Sequence, residues 1–245
     1  MKTQTWIMVV TMVAAMMVAP TATHQMMWGT CSSNSYTPMP DFNPEKFSGS
    51  WYVLKKLVTT SRCLSTTFEL QNDTRTFKVK EIRTPVVADM TPYKATVTNE
   101  GILEMNPEQP AKMKLDWSGN FLDEVLNTYY TIIDTDYTSY ALDLECQSWG
   151  FFKRVSATIL SRSKELPAEK ITELENTLST KYKIDLTRLN TIDHSNCFSA
   201  TDVDYNIKID ANGLSLLGLL SDDNLTQIHT VDAAEAYLNI SENLA

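Results

Sequence analysis

The chain has 245 residues, a formal charge of −9, four cysteines and 43% hydrophobic residues, with aromatics spread evenly along it. That length and spread suit one β domain with a sizeable core, and no basic patch exists to take up nucleic acid or an anionic membrane surface. The acidity is uneven: from Phe198 onward eight acidic residues face Lys208 alone, which puts −7 on the tail and −2 on everything before it.

Residues 1–23 carry Lys2 as their only charge and an apolar run over 6–19, too short to span a bilayer comfortably, and read as a signal peptide. Small residues at Ala19, Ala22 and Thr23 place cleavage nearby, and the mature, oxidised chain is expected to start near His24. No later run reaches transmembrane length, and the C-terminus lacks the apolar tail of a lipid-anchor signal. Cys31, Cys63, Cys146 and Cys197 form no CxxC pair, which argues against zinc and for two disulfides; the spacing leaves three connectivities open.

After a proline-containing lead-in at 37–40 the pattern turns to β. Strands are expected over 47–57, 66–70 and 76–82, the last two separated by a turn at 71–75. Phe77 and Val79 take one face of the third strand, Lys78 and Lys80 the other. A strand over 93–98 follows, then a break at Asn106-Pro107, then 112–117, where Met113, Leu115 and Trp117 share a face. Three more strands are expected over 125–133, 137–146 and 151–160, with turns at 134–136 and 147–150.

One segment reads as helix. Pro167 suits its first turn, Ile171, Leu174, Leu178 and Tyr182 recur at helical spacing, and Glu169, Lys170, Glu173 and Lys181 make the polar face. A short last strand lies within 186–192. About eight sequential strands followed by one helix imply an all-β fold: an eight-stranded antiparallel up-and-down β-barrel with one C-terminal α-helix packed outside. The expected organisation is a signal peptide at 1–23, the barrel at 24–197 and a partly disordered acidic extension at 198–245. Within that extension the apolar stretch 214–220 reads equally as docking on the barrel itself or as a partner site. Asn72, Asn224 and Asn239 head glycosylation sequons.

Three short patterns then carry a family resemblance. Gly49-Ser-Trp51 resembles the lipocalin Gly-x-Trp signature, Thr135-Asp136-Tyr137 its second signature and Arg162 its third, in the family's order. The resemblance covers 31–197 and is closest in kind to the secreted apolipoprotein D, retinol-binding and bilin-binding branch. It implies disulfides Cys31–Cys146 and Cys63–Cys197. It also implies that Gly49 turns the chain into the barrel, that Trp51 plugs the closed end and that Arg162 lies over Trp51, a cation–π contact of about 0.5 to 2 kcal/mol.

The function implied is that of an extracellular carrier of a small hydrophobic ligand (retinoid, bilin, sterol or fatty acid) with no chemistry performed on it. A bilin or retinoid would be cargo rather than cofactor, and no metal is expected. Strand alternation nominates Phe77, Val79, Met113, Leu115 and Trp117 as ligand-lining. Similarity to family positions adds Phe68 and Tyr130, with Lys55 near the mouth as partner for a carboxylate. An enzyme reading finds no support: His24, His194 and His229 form no nucleophile arrangement, and no HExxH, P-loop or Rossmann glycine pattern occurs. Asp134, Asp136 and Asp143, near turns, read as solvated. The alternative function is a secreted interaction module that engages a protein receptor through its rim or acidic tail.

Overall fold

The computed structural model describes residues 25–31, 36–90, 94–117, 128–198, 202–210 and 213–215. The expected signal peptide, the sequons at Asn224 and Asn239, and His24 and His229 lie outside them. Alternation in the sequence becomes inside and outside on a curved wall. The wall consists of β2 (Gly49–Leu57), β3 (Arg62–Leu70), β4 (Thr76–Thr84), β5 (Ala95–Met105), β6 (Lys112–Trp117), β7 (Thr128–Thr135), β8 (Tyr140–Trp149) and β9 (Phe152–Ser161). Each is hydrogen-bonded antiparallel to the next, and β9 returns to β2 through Tyr52↔Ser161 and Val53↔Leu160, which closes the barrel. The expected fold class is therefore the observed one.

Two apolar clusters share this wall. Inside lie Phe47, Trp51, Phe68, Phe77, Leu103 and Met113 among others. Outside, Leu142, Leu144, Val155, Ala157 and Ile159 of β8 and β9 take up Leu174, Leu178 and Tyr182 of helix α2 (Ala168–Tyr182). Pro167 stands at the N-cap, just before the first turn, and Lys183 ends the helix in the left-handed conformation. A shorter helix, α1 (Pro44–Phe47), was not anticipated. Asn43 caps it by accepting from Lys46 N, Pro44 sits at its start, and it delivers Phe47 into the barrel floor.

Three short strands extend the barrel where regular neighbours stop. β1 (Gln25–Trp28) pairs with β9 over Val155 to Phe152, and β10 (Leu189–Thr191) pairs with β2 over Leu57 to Lys55. β11 (Tyr205–Asp210) runs parallel to β5 over Ala95 to Asn99, the edge beyond Gly101 that β6 leaves bare, and turns back through β12 (Gly213–Ser215). The first part of the acidic tail is thus built into the sheet, which the sequence reading did not foresee, and residues 216–245 lie outside the described set. The disulfides are Cys31–Cys146 and Cys63–Cys197, the pairing the resemblance implied. The second holds the start of β3 to the segment that leads into β11.

Candidate ligand cavity

At the closed end the first and third signatures meet. Trp51 is fully buried, with its Nε1 donating to Phe47 O at 2.9 Å. The Arg162 guanidinium lies 3.6 Å from the centre of the Trp51 ring and donates to the carbonyls of Lys46, Phe47, Ser48, Ser50 and Tyr137. Gly49 has a φ of 102°, and a Cβ there would stand 3.3 Å from Arg162 Nη1, so both backbone sign and space favour glycine. The second signature shapes the adjacent turn. Thr135 Oγ1 donates to Tyr140 O and accepts from Tyr137 N, while Asp136 Oδ1 accepts from the amides of Thr138, Ser139 and Tyr140. Tyr137, at a φ of 66°, accepts from Asn43 N on its hydroxyl and so fastens the turn to α1. All six signature residues serve the plug.

Above the plug the interior has an apolar lower half. Phe68 lies between Phe47, Phe77 and Tyr130, with ring centres 4.9, 5.9 and 6.0 Å away. Val79, Met113 and Leu115 are buried in the same cluster and Trp117 is half-buried against it. Seven of the eight expected ligand-lining residues therefore face inward. Lys55 does not: its ammonium bonds Glu175 of α2 outside the barrel at 2.6 Å. A register shift in β2 between Val53 and Lys55 is the cause, because one extra residue flips every later side chain to the other face. The inward lysine is Lys56.

The upper half is polar, and sequence reasoning missed it. Lys56 Nζ and Arg83 Nη1 bond Glu81 at 2.6 and 2.9 Å. Facing them from β8 are Asp143, 0% exposed, and Glu145. Asp143 is thus a correction to the solvated reading of its region. Both its oxygens are buried without a hydrogen bond of acceptable geometry. Burial and the neighbouring Glu145 push its carboxyl well above the usual range, against the opposing pull of the Tyr130 hydroxyl, Lys56 and the Thr158 hydroxyl. Burial likewise opposes charge on Glu81 and Lys56, but here pairing prevails: Glu81 is held below its ordinary value and Lys56 above its own.

Between these groups lies a void of about 10 Å³, lined by Lys56, Glu81, Asp143 and Glu145 on its polar side and by Leu103, Leu115, Trp117 and Leu160 on its apolar side. It is about the size of one water molecule. The signal for the polar half sat in residues 141–147, where Ala, Asp, Glu and Gln alternate with Leu, Leu and Cys. That alternation ordinarily reads as polar outward. It is inverted here because α2 covers the outer wall, so the apolar set faces the helix. His194 has a structural place, with Nε2 2.8 Å from Val53 O and the ring edge-on to Tyr52. Among the described residues no group of three or more His, Cys, Asp or Glu is placed to hold a metal.

The family model described as Triabin matches residues 21–165. Apolipoprotein D from Macaca fascicularis is 30% identical over 174 residues, covering 69% of this chain and 85% of that one. The chain is a lipocalin. Purpurin from Gallus gallus is 28% identical to this lipocalin over 131 residues, covering 49% of it and 62% of purpurin. Among solved structures, insecticyanin from Manduca sexta aligns at 20% identity with a TM-score of 0.56, covering 76% of this lipocalin and 96% of its own chain. Lobster apocrustacyanin A1 aligns at 20% identity and a TM-score of 0.56, covering 72% and 96%. These two speak for the fold alone. The family and its barrel are those of ligand-binding carriers rather than enzymes.

Proposed function

We propose that this lipocalin is a secreted carrier that encloses one small hydrophobic molecule, of retinoid, bilin, sterol or fatty-acid class, in the interior of its barrel. The observation that carries the reading is the inward convergence of Phe68, Phe77, Val79, Met113, Leu115, Trp117 and Tyr130 above a floor sealed by Trp51 and Arg162. A cargo larger than the 10 Å³ void displaces side chains that line it, and half-buried Trp117 is the natural one to swing. Burying about 400 Å² of apolar ligand at roughly 25 cal/mol/Å² gives about 10 kcal/mol gross, from which rearrangement and lost freedom subtract several.

Two disulfides fit an oxidising compartment, and Asn72 lies exposed in the turn between β3 and β4, as a glycosylated asparagine would. The second reading, a protein-binding module, is favoured by the exposed aromatics at one rim: Trp28, Trp149, Phe151 and Phe152, with Phe151 83% exposed.

The deciding experiment is mass spectrometry of an organic extract of the natively secreted protein, beside quenching of its tryptophan fluorescence by retinol, biliverdin and oleate. A stoichiometric lipid or pigment, or quenching below about 10 μM (about −7 kcal/mol), is expected. An empty extract with no quenching in that range overturns the carrier and leaves the rim reading.

A further inference from the structure

The lip of the barrel where β8, β9 and β1 meet serves neither the plug nor an enclosed cargo. Asp143 and Glu145 of β8 and Thr158 and Leu160 of β9 line the interior void, so every second residue from them faces inward. The same count toward the open end brings Gln147 and then Trp149 on β8, and Arg154 and then Phe152 on β9, onto that inner face, while Val155 and Ala157 face α2. Trp149 pairs with Phe152, and Phe152 with Trp28 of β1, which continues the wall where β2 has ended. Directly opposed residues share a face, so three aromatic side chains stand in one row on the inner lip. The Phe152 and Trp28 ring centres are 4.3 Å apart, and Trp149 Nε1 donates to Gln147 Oε1 at 3.2 Å. The row is open above, with Trp28 77%, Trp149 45% and Phe152 40% exposed.

One rung deeper, about 6.6 Å along the strand, Arg154 stands between Met26 and Gln147. Its Nε is buried with no hydrogen-bond partner, and among the described residues its guanidinium forms no ion pair. Lys56 and Arg83 are both taken by Glu81, and Glu145 and Gln147 are engaged elsewhere. A buried donor without an acceptor is unfavourable until an acceptor arrives, and so is a bare aromatic row until something flat covers it. We propose that the mouth of the barrel binds a small aromatic acid, its ring stacked on the Trp149, Phe152 and Trp28 row and its carboxylate on the Arg154 guanidinium. The site lies on the lip above the charged layer, goes beyond the carrier reading and requires no enclosed molecule. A planar carboxylate matches the guanidinium fork, whereas an ammonium sets like charge against it and a hydroxyl forgoes the charge-assisted bond. A purely apolar ring covers the row and leaves Nε without a partner.

The test compares three heads on one fused ring, naphthylacetate, naphthylethanol and naphthylethylamine, titrated calorimetrically into the full secreted chain at pH 7. The acid is expected to bind below about 100 μM and at least about tenfold tighter than the alcohol and the amine. Arg154→Gln is expected to erase that preference, and Arg154→Lys to keep only part of it. Trp28→Ala, at an exposed ring, is expected to weaken all three by about fivefold and to keep their order. An acid no tighter than its alcohol, an amine that binds tightest, or no binding by the acid in that range overturns the site. An acid preference that survives Arg154→Gln, or acid affinity indifferent to Trp28→Ala, places the ligand elsewhere and overturns it as well. The wild-type comparison decides on the head group even where a variant fails to fold. Each of these failures leaves the carrier standing, since that reading is tested with retinol, biliverdin and oleate.

Discussion

Arg162 is half-buried and Asp143 wholly buried, and these two ionisable groups differ in how they are satisfied. The Arg162 guanidinium has an aromatic face on one side and five backbone carbonyls around it, so its desolvation is compensated. A lysine in its place could not reproduce that planar fork. Asp143 has no such compensation. Its folded-state pKa is raised, so between the ordinary aspartate value near 4 and that higher value the folded chain holds a proton that the unfolded chain has lost. Stability therefore falls as pH rises through this window, the opposite of Glu81, whose lowered pKa gives stability that is lost on acidification. Asp143→Asn is expected to stabilise the protein at pH 7.5 by about 1 to 3 kcal/mol, and by clearly less at pH 4.5, in urea denaturation. An advantage that grows toward pH 4.5 would mean that Asp143 is ionised in the folded state.

At the scale of elements, β11 depends on what lies beside it. Its ladder runs along Ala95 to Asn99, Asp204 accepts from Lys94 N and donates its own amide to Lys94 O, Asp202 pairs with Lys94 Nζ, and Asn206 accepts from Thr98. The Cys63–Cys197 bridge holds the approach to this ladder. Replacing both cysteines by alanine opens a loop of sequence separation 134 and is expected to cost about 4 to 5 kcal/mol. Hydrogen exchange should quicken first at 95–99 and 205–209; uniform acceleration across the barrel would show that the bridge acts on the whole fold and not on this edge.

The same element marks the limit of sequence reading. β4, β6 and α2 announce themselves because their periodicity is local and one face is buried. β11 is an acid-flanked segment whose stability comes from an edge roughly a hundred residues away in the chain, α1 is too short for any period, and the shift in β2 that exchanges Lys55 for Lys56 leaves no mark in composition. The apolar half of the cavity was legible for the first reason and the charged half was hidden by an inverted alternation.

As a whole, the molecule is a barrel whose closure from β2 to β9 needs neither β11 nor the residues after it. Those residues concentrate the acidity of the chain and cover a parallel edge that would otherwise present unpaired amides and carbonyls beside the shortest barrel strand, β6. An uncovered edge is a template for another chain, and net charge of one sign opposes association. Removing 199–245 takes away both protections together, since the segment holds all eight acids of the tail and Lys208, a charge of −7. The shortened chain is expected to keep its β circular dichroism, to melt about 4 to 8 °C lower for an edge worth roughly 2 kcal/mol, and to self-associate in light scattering at concentrations where the full chain does not. Added salt should strengthen the association of the full chain and change that of the shortened chain little, because only the former has a large like charge to screen. Loss of the β signal on truncation would show instead that β11 is part of the folding unit, and a monomeric shortened chain would show that the edge beyond β6 is closed by residues within the barrel.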